Sequence, residues 1–509
     1  MIVRLAIRSL TTRPLRSAVL AAGFGLGIGV MVELLGVGQV ILEQAHSPAL
    51  QGGGTVVVGG AFGPLDSARF LLSQLSSSKR LRGQVVAASP NRRATVFLIK
   101  PGLAIAVSMR GGVPSLEKAV GDSEVSGRAE WRDAATDAAW TNALPGDVLR
   151  AMDRFHPVPD LWGNSSDSNQ QSSATSNQQP ATSPQQPAPS PKGWAEWLYF
   201  NGRSTDGRLR FYLSFIAGAV HASGARPITA RLQLERDGRS TNYSAAAEVD
   251  DRELLARAPD LDVGDTHVRL EGTRYTITLA LRAEASATPV TGLLTLDAAP
   301  GRSLPPAAIH GAGGWVSGYV VPVLAGTFQG VLRIGGDTIR VENASGYHDH
   351  NWGFWEGVHW QWGQVANGDL SIVYGRVFPP ANVADPRRIP GFLGLLGADG
   401  PMAFSTDVAI TEEDDHGLLR AIHIQARGDE TDLTLHFTVA EQVRTSTFLQ
   451  MGGTYEVRGR AASRDISFTA RGSAETFRPT PDSSVSYSPR GLSFAGGSTP
   501  ASPRRARRR

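Results

Sequence analysis

Beyond Trp194, apolar and polar residues alternate with a period of two, and this alternation sets the fold class. RFYLSFI at 210–216 and the runs 228–234, 267–270, 275–281 and 292–296 are short and separated by turn residues. The pattern resumes at 318–323, 326–334, 371–377, 403–410, 419–425, 432–439, 453–457 and 466–471. More than a dozen short strands at this spacing predict a mainly β chain of sandwich or barrel type. One eight-stranded barrel cannot hold them all. We therefore expect two packed β-units, 194–312 and 313–478, meeting near 300–314.

The first third reads differently. Between 51 and 160, strand patterns (55–58, 94–99, 103–109) mix with helix signals, among them Asp66 before 67–75 and Pro145-Gly146-Asp147 before 148–155. We expect a small extracytoplasmic α+β segment there. From 163 to 191 the chain is Ser, Asn, Gln, Thr and Pro with Asp167 as its only charge, which predicts a disordered linker. A second such tract, basic, is expected at 479–509.

Residues 17–42 (SAVLAAGFGLGIGVMVELLGVGQVIL) contain one charge, Glu33. A helix of this length rises ~1.5 Å per residue and crosses a ~30 Å hydrocarbon core. Arg4, Arg8, Arg13 and Arg16 precede it, so the positive-inside rule keeps 1–16 in the cytoplasm. The expectation is a single-pass inner-membrane protein with its bulk in the periplasm.

The 509 residues carry a net charge of +3 and no Cys. Nine arginines, the four above and Arg504, Arg505, Arg507, Arg508 and Arg509, exceed that charge, so the chain between them is mildly acidic. A nucleic-acid surface needs basic residues on a folded face, and nucleic acid is set aside as a partner. The lack of Cys excludes disulfides, thiolate metal sites and Cys nucleophiles. Gly25-x-Gly27-x-Gly29 lies in the apolar span with no strand before it, and no G-x-S-x-G occurs.

Two segments concentrate chemistry. WAEWLYFNG (194–202) holds four aromatics, of which Trp194 and Trp197 read as core plugs. GYHDHNWG (346–353) is followed by WQWG (360–363). On a strand, Tyr347, Asp349 and Asn351 share one face, and His348, His350 and Trp352 share the other. A carboxylic acid in an apolar cavity keeps its proton near neutral pH and can protonate an alkene carbon. Asp349 is the candidate acid, with Tyr347 to orient it or a water. Trp315, Trp352, Trp360 and Trp362 offer π-faces for a developing cation, with Asn351 as a polar ligand contact. The same motif can instead tie a β-bulge through side-chain hydrogen bonds, or line a pocket that binds without reacting. His348, His350 and His359 put two imidazoles on one face but assure no third ligand, so no metal or other cofactor is expected.

Two resemblances follow. LAIRSLTTRPLRSAVLAAGFGLGIGVMVELLGVGQ with the Gly-rich QGGGTVVVGG resembles the start of a MacB/FtsX-type ABC transporter permease over the first sixty residues or so. It implies ABC transporter subunits as partners. EWLYFNG, GYHDHNWG and WQWG together resemble the hydroxyneurosporene synthase (carotenoid 1,2-hydratase, CrtC) and AttH family from Trp194 to about Phe477, with 468–477 resembling its last strand. That family implies a pair of lipocalin-like β-barrels, a terpenoid or lipid-like ligand, and catalytic weight on the Tyr-x-Asp pair, here Tyr347 and Asp349. Carotenoid hydratases also use a His-Trp element upstream. The matching stretch GGWVSGY here has Trp315 and no histidine, which leans toward the AttH-like branch. Three roles stay open: a hydratase or isomerase, a non-catalytic lipid-binding accessory of an ABC exporter, and a structural module.

Overall fold

The computed structural model describes residues 68–77, 83–100, 103–134, 145–159 and 193–477, apart from a few loop positions, and scattered positions elsewhere. The linker 163–191 and the tail 479–509 lie outside the described residues, as does most of 17–42. Among the described residues no helix is long and apolar enough to cross a membrane. The positions described between Pro14 and Met31 are helical, and Val19, Phe24, Leu26 and Met31 are exposed.

Among the described residues, the α-helices with defined bounds are α1 (Ala68–Ser77), α2 (Pro114–Ala119), α3 (Pro145–Met152) and α4 (Asp251–Arg257). The chain divides into two compact units, residues 1–68 with 81–142, and residues 69–80 with 143–509. In the first, β1 (Asn91–Lys100) and β2 (Leu103–Gly112) form an antiparallel hairpin. Arg110 of β2 reaches Glu117 of α2 at 2.6 Å, Glu124 at 2.7 Å and the buried Asp122, which ties helix to hairpin.

Residues 51–160 are divided between these two units. α1, beyond its first residue, and the stretch 145–159 belong to the unit that holds the main sheets. The physical reason is that α3 is amphipathic and buries Val148, Leu149 and Met152; Leu149 and, just beyond it, Phe155 join the core of the sheet that follows.

That sheet contains β3 (Trp194–Arg203), β4 (Leu209–Ala217), β5 (Ala225–Arg236), β6 (Arg239–Asp250), β7 (Leu261–Val263), β8 (Thr266–Glu271), β9 (Arg274–Ala283), β10 (Pro289–Ala298), β11 (Leu304–His310), β12 (Val316–Ile334) and β13 (Asp337–Phe354). Eight of them close a barrel in the order β3-β4-β5-β6-β9-β10-β12-β13 and back to β3. β7 and β8 extend from β9, and β11 pairs with the start of β12. Two-residue hairpins enforce the order: Asp237 and Gly238 join β5 to β6 with φ of 50° and 76°, the left-handed pair whose twist matches the strands. Strict alternation on β9 sends Tyr275, Ile277, Leu279 and Leu281 into the barrel, where they meet Phe200, Phe215 and Leu232.

The second sheet is open. β14 (His359–Asn367), β15 (Leu370–Phe378), β16 (Phe392–Gly397), β17 (Gly400–Ser405), β18 (Asp407–Asp415), β19 (Leu418–Gly428), β20 (Thr431–Arg444), β21 (Phe448–Ala461) and β22 (Arg464–Phe477) follow the order 17-16-15-14-22-21-20-19-18. It curls as a half-barrel around its own core, which includes Ile372, Leu393, Ile424, Leu435 and Tyr455. The expectation of two barrels is thus corrected to one closed barrel and one curled sheet. The seam also moves, because β12 and β13 pair back onto β10, β11 and β3 and so belong to the barrel. It falls between Phe354 and His359. Alternation marks strands but does not say which strand each one pairs with, which is why the seam was misplaced.

Candidate functional site

Strand β13 separates two buried environments. Its even residues His348 and His350 point into the barrel end, and its odd residues Tyr347, Asp349 and Asn351 point out of the barrel toward the curled sheet. A cavity of about 170 Å³ lies on that outer side. The barrel contributes Trp197 and Tyr199 of β3, Tyr212 of β4, Tyr319 of β12, and Asp349 and Asn351 of β13. The curled sheet contributes Trp360 and Trp362 of β14, Phe448 and Gln450 of β21, and Glu475 and Phe477 of β22.

Register builds these walls. On the barrel, Asn351 faces Tyr319 on one side and Trp197 on the other, and Asp349 faces Tyr199. On the sheet, Glu475 faces Trp362 and Gln450, and Phe477 faces Trp360. Each carboxyl therefore sits in a row of rings.

The carboxyls have few partners. Asp349 is 6 % exposed; it accepts from Asn351 Nδ2 at 2.6 Å and from the Tyr347 hydroxyl. Burial raises its pKa well above the usual carboxylate range, and the negative charge of Glu475 adds to the rise. Glu475 Oε1 accepts from Trp360 Nε1 at 3.0 Å. Burial pushes Glu475 up to about 7, against the opposing effect of that bond. Among the described residues neither carboxyl takes part in an ion pair; Arg231, which also lines the cavity, pairs with Glu284 at 3.1 Å. Both acids thus resist ionisation, and a charge on Glu475 makes ionising Asp349 harder still.

The other face of β13 is equally buried and fully paired. His348 Nδ1 donates to the Tyr199 carbonyl at 3.0 Å, and Nε2 lies 2.9 Å from Asp153 Oδ2, which also accepts from the Tyr275 hydroxyl at 2.6 Å. His350 Nδ1 donates to the Met152 carbonyl at 3.0 Å, and Nε2 lies 2.9 Å from Glu196 Oε1. Glu196 also accepts from the backbone N–H of His156, and Arg226 stands 3.8 Å away. The hydrogen bonds to His350 and His156 pull the Glu196 carboxyl below its ordinary range against the opposing effect of burial, and the Glu196 carboxylate holds the His350 imidazole above its ordinary range.

Of the residues singled out in the sequence, Asp349, Asn351, Trp360 and Trp362 meet in the cavity. Tyr347 stands behind Asp349 in an apolar cluster with Val321, Leu324 and Phe392, its hydroxyl accepting from Trp362 Nε1 at 2.9 Å. Two of the expected ligand contacts, Trp352 and Trp315, do not line this cavity. Trp352 lies on the opposite strand face, stacked on His156 at 4.2 Å, where Gly318 makes room for it: a Cβ on Gly318 would sit 2.2 Å from the indole. Trp315 is 2 % exposed in the same core cluster and lines no part of the cavity. A third reading also changes, since Trp194 is core but Trp197 is a cavity wall. Glu475 was not singled out, because SAETF in a closing strand carries no motif and its partner acid lies far away in sequence. Asp153 and His156 were missed for the same reason.

The fold and site define a closed β-barrel that carries a buried Asp349 on its outer face, opposite the half-buried Glu475 of a curled sheet. The sequence matches no protein-family model and no curated protein. Among solved structures, a putative AttH from Nitrosomonas europaea is 16% identical, covering 56% of this chain and 92% of its own, with a TM-score of 0.37. CghA is 14% identical over 57% of this chain and 89% of its own, at a TM-score of 0.40. Kievitone hydratase from Nectria haematococca is 13% identical over 58% and 91%, at 0.35. At these values the likeness carries no inference about substrate or reaction.

Proposed function

We propose that the chain is a hydratase or isomerase acting on a hydrophobic, terpenoid or lipid-like alkene, with Asp349 as general acid. One observation carries this reading: the buried Asp349 and the half-buried Glu475 face the same aromatic-walled cavity, and among the described residues neither pairs with a cation. A protonated Asp349 gives its proton to one alkene carbon, and the rings of Trp360 and Trp362 shield the cation that forms. In a hydration, water then adds to the cation and loses a proton to a carboxylate. In an isomerisation, the ionised Glu475 removes a proton from the neighbouring carbon. Either way the pair regains its single proton. Tyr347, held by Trp362, positions the acid.

The motif resemblance to carotenoid hydratases supports a polyene as substrate. The apolar helical positions Val19, Phe24, Leu26 and Met31 and the flanking arginines support a membrane anchor at 17–42, with the β-units outside the cytoplasm. Incubation with acyclic polyenes and unsaturated lipids, followed by mass spectrometry, tests the reading. The expected product has gained one water or has moved its double bond, and Asp349→Asn lowers turnover by ~10²–10⁴-fold. Tight binding without any product in the wild type would instead make the chain a carrier, the role expected of an accessory to an ABC exporter.

A further inference from the structure

We propose that His156, Glu196 and His350 form a site for one divalent transition-metal cation of the zinc type. The three come from sequence-distant stretches: the segment after α3, strand β3 and strand β13. Their ligand atoms all lie within 4.8 Å of one another. Both imidazoles converge on a single carboxylate oxygen, with His156 Nδ1 2.8 Å and His350 Nε2 2.9 Å from Glu196 Oε1. Ligands ~2.0–2.2 Å from a tetrahedral zinc stand roughly 3.3 Å apart, so each nitrogen–oxygen edge opens by well under an ångström to seat the ion. Two imidazoles and one carboxylate suit zinc and its neighbours, not calcium or magnesium.

The surroundings are those of a metal site. His350 Nδ1 donates to the Met152 carbonyl at 3.0 Å, which turns Nε2 toward the carboxylate; a ligating histidine is oriented by such a bond. Glu196 accepts from the backbone N–H of His156 at both oxygens, 2.9 Å to Oε1 and 3.0 Å to Oε2, which fixes the carboxylate plane; Oε2 also faces Arg226, and Oε1 faces the two imidazoles. Trp352 stacks on His156 and Phe155 on His350, fixing both rings. The His156 side chain is 39% exposed, giving an entry path and a fourth position for water. A cation here would fasten the stretch 145–159 to the barrel directly behind Asp349.

The test uses the full chain purified without a polyhistidine tag, stripped with a chelator and titrated with zinc chloride alone. Calorimetry should show one equivalent bound, and the thermal midpoint should rise with zinc. His156→Ala, at the exposed ligand, should weaken binding by ~100-fold or more and abolish the rise of the midpoint with zinc, whatever the midpoint of the stripped variant. His350→Gln should lose binding as well; should it fail to fold, His156→Ala decides alone. A double variant at the exposed cross-strand pair His423 and His436, whose Nδ1 atoms lie 3.1 Å apart, should bind zinc as the wild type does. Absence of stoichiometric uptake by the wild type, uptake indifferent to His156→Ala, or uptake lost in the His423/His436 variant would each overturn the site.

Discussion

Alternate residues of β13 enter two settings, a closed barrel end and the wall of a cavity, and come out with opposite chemistry. Toward the barrel, His348 and His350 meet carboxylates, a tyrosine hydroxyl and backbone carbonyls, so each polar group has a partner. Toward the curled sheet, Asp349 has two donors and a second acid for company, and its proton is held. Burial alone therefore does not decide what a titratable group does. Partners turn it into a structural tie, and their absence turns it into a proton store.

Removing a partner on the barrel side should do the greatest damage to the fold. Asp153→Ala leaves His348 Nε2 and the Tyr275 hydroxyl without an acceptor in a site closed to water. At ~1–3 kcal/mol for each unsatisfied buried group, a loss of about 2–6 kcal/mol should appear in urea unfolding. Asp349→Asn is the contrast. The amide keeps the shape, bonds to Asn351, and no longer carries a charge that the cavity disfavours. Its unfolding midpoint should equal or exceed that of the wild type, while turnover of an alkene falls as described above. An Asp349→Asn protein as unstable as Asp153→Ala would erase the distinction between the two faces and make Asp349 a structural anchor.

The alternation itself could be read from the sequence. Strand parity placed Tyr347, Asp349 and Asn351 together, and period-two runs located most of the strands, because both depend only on neighbours along the chain. Register across strands is a different kind of information. Nothing near residue 475 says that β22 will pair with β14 and bring Glu475 beside Trp362. Nothing before residue 160 says that Asp153 and His156 will close the barrel end beyond a long polar tract. Ring type, as at Trp315 and Trp352, carries no information on which core a residue joins.

A pH titration sharpens the contrast next. Glu475 titrates near 4.5 in an unfolded chain and is pushed up to about 7 in the folded one. The folded state thus holds this proton more tightly, so the contribution favours folding below pH 4.5 and is lost as the pH rises through about 7. At ~1.4 kcal/mol per tenfold change in proton affinity, the loss is at most about 3–4 kcal/mol, less whatever water in the cavity screens. Asp349 adds a loss of the same sign. Chemical unfolding followed from pH 4 to pH 8 should show this decline, and Glu475→Gln should flatten it. A Glu475→Gln protein that keeps the full slope would mean that the acid is already ionised and cannot share a proton with Asp349. The barrel-side Glu196, held below its ordinary range, contributes in the opposite sense, with stability lost as the pH falls through its folded pKa.

The smallest effect concerns what holds Tyr347. Trp362 Nε1 donates to the Tyr347 hydroxyl at 2.9 Å, and that hydroxyl in turn donates to Asp349. Trp362→Phe keeps an aromatic wall but removes the indole donor, leaving the Tyr347 oxygen one bond short. Such a bond is worth ~0.5–1.5 kcal/mol net, so the unfolding midpoint should drop slightly. The more telling readout is the pH profile of turnover. Without its donor the hydroxyl becomes a poorer donor to Asp349, whose ionised form then loses stabilisation and whose pKa rises further. The alkaline limb of the profile should therefore move to higher pH than in the wild type. A profile that stays in place while stability falls would leave Tyr347 as a packing residue and put the whole task of tuning the acid on burial and Glu475.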